Sequence, residues 1–172
     1  MKKALLAILL LSSTAIGAMV DSIIAPVGWL RERQEDTGKL TTVFFSNDPE
    51  VRKSLESKGP APIATIILGI SEDSAAGEKL VQKWKVNVEK PTGRTLKKQI
   101  RAQTLLLKEF TTRVTRVYVT HARAGGKNLT AILTIAEPVD GFRDKYIDAL
   151  GQILDQLVPT TTPSTGPASS QT

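Results

Sequence analysis

The chain has 172 residues, 41% of them hydrophobic but only 5% aromatic, which suits one domain with an aliphatic core rather than two domains. It contains no cysteine, which excludes disulfides, thiolate redox chemistry, thiolate metal sites and lipidation at an N-terminal Cys. The formal charge of +6 is unevenly spread: between Lys83 and Lys127 twelve Lys and Arg stand against Glu89 and Glu109, so the remainder is net acidic, an asymmetry that bears on partners rather than on fold.

Met1-Lys2-Lys3 is a short positive head, Ala4 to Leu11 is an unbroken apolar run, and Ser12 to Ala18 is a small-residue segment ending Ala15-Ile16-Gly17-Ala18. This order predicts a signal peptide over residues 1–18, cleaved after Ala18, and an exported chain that is periplasmic or secreted. The alternative is a retained anchor, but its apolar stretch from Ala4 to Val20 is at the lower limit for spanning a bilayer. Removing Lys2 and Lys3 lowers the formal charge to +4.

Lys39 to Phe45, rich in β-branched and aromatic residues, predicts a strand. Ser46-Asn47-Asp48-Pro49-Glu50 then carries a capping polar residue, a first-turn proline and an acid, the signature of a short helix to Ser57. Ala61 to Ser71 is apolar on both parities, as in a strand covered on both faces. Lys83 to Glu89 alternates with Trp84, Val86 and Val88 on one side and predicts a strand paired with it, connected through Asp73 to Glu78; a helix beginning at Ser74 is the competing reading.

Pro91-Thr92-Gly93 ends that strand. At 100° per residue, Leu96, Ile100, Gln103, Leu107 and Phe110 fall within one arc, while Arg94, Lys97, Lys98, Arg101 and Lys108 fall within the opposite one. The pattern predicts an amphipathic helix from Thr95 to Glu109, in which only Leu105 is misplaced, on the basic side. Arg113 to Ala122 and Lys127 to Ala136 are expected as a hairpin turned at Gly125-Gly126. Asp140 is placed to cap a last helix in which Phe142, Tyr146, Ile147, Leu150, Ile153, Leu154 and Leu157 recur at helical spacing. The Asp and Arg residues between them point outward. From Pro159 the run PTTTPSTGPASSQT has no large apolar or charged residue and is read as a disordered tail, 159–172. The folded unit is then 26–158, an α+β sandwich: an antiparallel β-sheet with packed helices.

Pro26-Val27-Gly28-Trp29, the stretch TTVFFSNDP, a helix before the long hairpin and the closing FRDKYIDALGQIL helix resemble the PsbP-like and DcrB-like family, in which a P-x-G-W segment and an F-x-x-x-Y/L helix frame the sheet. The likeness covers Pro26 to Leu157. It implies a PsbP-like sandwich and a non-catalytic accessory or assembly role at membrane complexes, and it carries over no catalytic residue. The chain departs from the DcrB-like lipoproteins in lacking a lipidated Cys.

Candidate catalytic groups are sparse. His121 is the one histidine, beside the Gly125-Gly126 turn, with no second His or Cys to complete a metal site. Ser46 and Ser71 lack a nucleophile-elbow context, and Asp73 and Glu78 border a turn where solvated carboxylates are ordinary. Gly125-Gly126 precedes a strand and is no phosphate loop. Trp29 and Trp84 are expected as packing anchors, and Asn128-Leu129-Thr130 as a chance match to a glycosylation pattern. No cofactor or small-molecule substrate is indicated. Nucleic acid is disfavoured by export and by the absence of an aromatic platform beside the cations.

Two expectations remain. One is an exported accessory or binding protein of the bacterial cell envelope whose basic helix face, Arg94, Lys97, Lys98, Arg101 and Lys108, contacts an anionic membrane surface or an acidic envelope protein; a helix made for solubility alone would mix its charges. The alternative is an envelope hydrolase or transferase with a scattered site. A deep pocket joining His121 to two carboxylates would favour the enzyme, a broad basic surface the binder.

Overall fold

The strand expected at Ala61 to Ser71 is β3 (Ala64–Ser71), and it lies in the middle of a seven-stranded sheet, which is why it is apolar on both parities. The computed structural model describes residues 16–49, 62–85, 90–101, 103–112, 114–136 and 141–158. Along the sheet the order is β1-β2-β3-β7-β6-β5-β4, every neighbour antiparallel, with β1 (Trp29–Asp36), β2 (Leu40–Asn47), β4 (Lys90–Ile100), β5 (Gln103–Thr111), β6 (Thr115–Ala124) and β7 (Lys127–Ala136). Helix α1 (Ser74–Lys85) packs on one face and α2 (Arg143–Leu157) on the other, so the class is α+β, a sandwich as expected.

The larger core lies under α2. Phe45, Ile66, Leu68, Ile70, Tyr118, Leu129 and Leu133 line up from neighbouring strands, and Leu150, Ile153 and Leu154 descend on them at helical spacing. A helical segment at 16–21 adds to this layer, with Val20 and Ile23 buried and Ile16 and Met19 partly so. The smaller core, Phe44, Ile67, Val117, Val119 and Ile132, meets Leu80 and Val81 of α1. There α1 approaches closely because Gly77 has no side chain: a Cβ would come 2.2 Å from the Thr130 Oγ1.

A buried polar knot ties the strands to α2. Asn47 Nδ2 donates to the Pro62 carbonyl at 2.9 Å and the Ala64 N–H donates to Asn47 Oδ1 at 3.0 Å. Tyr146 of α2 donates to the same Pro62 carbonyl at 2.9 Å. The Trp29 ring meets Tyr146 edge-on at 5.7 Å, so Trp29 is a packing anchor. Trp84 packs similarly on Phe44 at 6.0 Å.

Two expectations need correction. The alternating Trp84 segment does not pair with β3: residues 74–85 form α1, whose buried positions Ala76, Leu80 and Val81 follow the helical period, and Asp73 Oδ1 accepts from the Ala75 N–H at 2.9 Å to start it. Residues 86–89 lie outside the described residues. The amphipathic helix from Thr95 to Glu109 does not exist; those residues are the β4–β5 hairpin, with Leu96 opposite Leu107, Lys98 opposite Leu105 and Ile100 opposite Gln103. Phe142 stands at the start of α2 without a side-chain cap, while Asp140, the expected cap, is outside the described residues. So are the short helix at 50–57, residues 1–15 and the tail 159–172. Strand β1 was not anticipated.

No helix among the described residues is long and apolar enough to cross a membrane. Ile153 is fully buried between α2 and the sheet, so Ile153→Ala is expected to lower stability by about 2–5 kcal/mol in urea unfolding, against less than about 0.5 kcal/mol for Gln152→Ala on the exposed side of the same helix.

Candidate basic surface on the β4–β5 hairpin

Five cations were expected on one helical face, and the hairpin divides them. Alternation sends Leu96, Lys98 and Ile100 of β4 toward α2, and Thr95, Lys97 and Gln99 to the outer face. Lys98 pairs with Asp148 of α2. Arg101 leaves the end of β4 with φ +49°, a left-handed conformation that disfavours a non-glycine residue. Its side chain is held in that position: Nε meets Asp155 Oδ1 at 3.0 Å, and Nη1 donates to the Val158 carbonyl at 2.6 Å. Lys98 and Arg101 therefore serve the packing of β4 against α2.

Lys97 and Lys108 stay on the outer face. Leu106 stands opposite Lys97 and Thr95 opposite Lys108, which makes the two lysines diagonal neighbours across the hairpin. Both are exposed, and Leu106 between them is 51% exposed. Beside them the Thr104 hydroxyl donates to Gln99 Oε1 at 2.7 Å, and Gln99 Nε2 donates to the Arg101 carbonyl at 2.6 Å, which stiffens the turn end of the hairpin. Arg94 is exposed at the irregular start of β4, where the pairing shifts between Pro91 and Thr95.

Glu109, the acid nearest these cations in sequence, does not neutralise them. It lies on the inner face, buried, and the Tyr118 hydroxyl donates to its Oε2 at 3.1 Å. Burial, reinforced by the negative charge and hydrogen bond of Glu109, pushes the Tyr118 hydroxyl up to about 12. At the start of α2, Arg143 and Asp144 pair, which lowers the Asp144 carboxyl and raises the Arg143 guanidinium.

His121 lines a separate, open cavity of about 710 Å³ with Ser74, Glu78, Arg123, Asn128 and Thr130. Its Nδ1 lies 3.1 Å from the Thr130 Oγ1 and its Nε2 3.7 Å from a carboxylate oxygen of Glu78. Among the described residues one carboxylate, itself exposed, is brought to the histidine. Among the described residues there is no group of three or more His, Asp or Glu able to hold a metal ion. Asp148 and Asp155, expected to point outward, are about half exposed, but sequence reasoning missed their pairing with Lys98 and Arg101; their spacing of seven residues along α2, two helical turns, was the available signal that they face one neighbour.

The Tyr118 shift has a consequence at high pH. In the folded protein Tyr118 keeps its proton to about pH 12, whereas the unfolded chain releases it near pH 10. The unfolded state then binds fewer protons than the folded state, so stability falls as pH rises from 10 to 12, by about 2–3 kcal/mol from this group. Urea titrations at pH 9, 10.5 and 12 are expected to show that loss in the parent protein and a flatter dependence in Tyr118→Phe.

In comparisons with known proteins, no family model, curated protein or solved structure matched the chain.

Proposed function

We propose that the protein is an exported, non-catalytic accessory protein of the cell envelope that binds an anionic surface or acidic partner through the outer face of the β4–β5 hairpin. The observation that carries this reading is the pairing of Lys97 and Lys108 around the exposed Leu106, with the adjacent Glu109 turned into the core. Two cations flanking an apolar side chain suit a surface that is negatively charged and partly apolar, such as phospholipid head groups or an acidic protein patch. Arg94 extends the positive field at the far end of β4. The PsbP-like resemblance and the scattered, solvated surroundings of His121 also favour binding over catalysis.

Export rests on the Lys2-Lys3 head and the apolar run from Ala4 to Leu11. Cleavage after Ala18 spares Val20 and Ile23, the buried members of the N-terminal segment, so the mature chain keeps the core contacts that hold it. Sequencing of the protein isolated from its host is expected to begin at Met19, and an intact Met1 in a cytoplasmic fraction would overturn export.

The binding face is tested by two charge-reversed variants. Lys97→Glu with Lys108→Glu should reduce co-sedimentation with phosphatidylglycerol vesicles, or capture of an acidic partner, by at least about tenfold at low salt, since each basic residue near an anionic surface contributes about 1 kcal/mol. Added salt should weaken the parent's binding. The circular dichroism spectrum should not change. Lys98→Glu with Arg101→Glu should instead lower the melting temperature, because both face carboxylates of α2. Undiminished binding by the folded Lys97/Lys108 variant would sink the proposal.

A further inference from the structure

Strand β4 ends the strand order of the sheet, and α2 runs beside it on the inner face. Ile100 and Gln103 close a two-residue hairpin, and in such a hairpin the closing pair exchanges hydrogen bonds. Pairing then alternates along the ladder. The N–H and C=O groups of Ile100, Lys98 and Leu96 therefore point toward β5, and those of Thr95, Lys97 and Gln99 point away from it, along an edge that no other described strand pairs with. From Thr95 to Ile100 the register is regular, with no bulge. The opposite edge, β1, is broken by a bulge between Arg31 and Arg33 and bears charges of both signs, two devices that discourage strand addition.

A groove of about 390 Å³ lies beside the β4 edge, between it and α2. Lys98 and Ile100 line it from the strand, and Asp148, Gly151 and Gln152 from the helix. Gly151 forms the helix side of this groove and lets the strand side chains lie close to α2: a Cβ there would come 3.3 Å from the end of the Lys98 stem. An edge strand bordered by a helix, with room between them for side chains, is the geometry in which an extended peptide adds to a sheet.

We infer that β4 accepts an extended acidic segment of a partner protein as an eighth strand, its backbone on Thr95, Lys97 and Gln99 and its alternate side chains in the groove against α2. The inference rests on the proposed binding role and names the class of partner. Charge selects the occupant. A residue paired directly with Lys97 projects its side chain on the outer face beside that lysine, so Glu or Asp is favoured there. Its two neighbours pair with Leu96 and Lys98 and project inward beside them, and the residue opposite Ile100, of the same parity, enters the groove at Gly151. A second copy of β4 added antiparallel about Lys97 would place lysine against lysine, a destabilising pair. The chain's own segment after Val158 carries Pro159, Pro163 and Pro167, which lack the N–H that a new strand must donate.

The test uses the folded protein and a short synthetic peptide alternating Glu with Val and Thr, against one with Lys in place of Glu. The acidic peptide is expected to bind, and on binding to slow amide hydrogen exchange at Thr95, Lys97 and Gln99. Thr95→Pro removes an outward-facing donor without changing charge, and Gly151→Leu fills the groove; each should weaken the peptide at least about tenfold, and Gly151→Leu, on the inner face, should leave binding to phosphatidylglycerol vesicles as in the parent. Should one variant fail to fold, the exchange pattern of the parent and the other variant decide. The inference is overturned if the acidic peptide does not bind, binds no better than the Lys peptide, or binds without protecting those three amides. Vesicle binding undiminished in the folded Lys97/Lys108 variant would instead remove the broader reading. Vesicle binding that depends on those lysines, without peptide binding, removes strand addition alone.

Discussion

The pairing of β3 with β7 holds the molecule together. Eight residue pairs, from Ala64 opposite Ile135 to Ser71 opposite Asn128, join the N-terminal three strands to the C-terminal four. Both helices converge on this seam from opposite faces, α1 against β3 and β7, and α2 against β7. Leu68 and Ala131 face the larger core while Ile67 and Ile132 face the smaller one, so a slip of one residue would exchange the two sets and mismatch both. Everything outside the seam, including the basic hairpin, is positioned by strands that extend outward from it.

The hairpin shows how one run of cations can be given two tasks. Residues of one parity reach α2, where Asp148 and Asp155 meet Lys98 and Arg101 and fix the orientation of the outermost strand. Exposed ion pairs of this kind contribute little stability singly. Their effect is geometric, since Arg101 spans from the turn to both Asp155 and the Val158 carbonyl and so secures a left-handed residue that a free turn would give to glycine or asparagine. Residues of the other parity remain in solvent. Turning Glu109 inward to Tyr118 removes the negative charge that would otherwise lie among them.

Much of the fold was legible because its signals are local. The alternation of Leu129, Ala131, Leu133 and Ile135, the Gly125-Gly126 turn and the 3.6-residue recurrence from Tyr146 to Leu157 each identify their element. The β4–β5 hairpin was not legible as such, for a specific reason. No Gly, Asn or Pro occupies residues 101–102, and the turn shifts the buried parity from even to odd numbers, so Leu96, Ile100, Gln103 and Leu107 mimic a helical stripe. Leu105, the one residue out of place on the helix, is buried in the larger core and was the clue to a strand. Strand β1 escaped because an edge strand with one buried residue, Trp29, has almost no hydrophobic alternation to display. The cations at the candidate surface were identified by composition, but only the sheet parity separates Lys97 and Lys108 from Lys98 and Arg101.

The seam also dictates how the chain acquires its shape during synthesis. Strand β3 is made early, yet its partner β7 follows only after α1, β4, β5 and β6 have emerged. Until then β3, almost wholly apolar, is an unpaired edge of a three-stranded sheet, while β4 to β6 can close as neighbouring hairpins without it. The nascent chain therefore passes through an interval in which its stickiest strand is uncovered, and holding that strand apart from other chains is the step at which a chaperone has most to do.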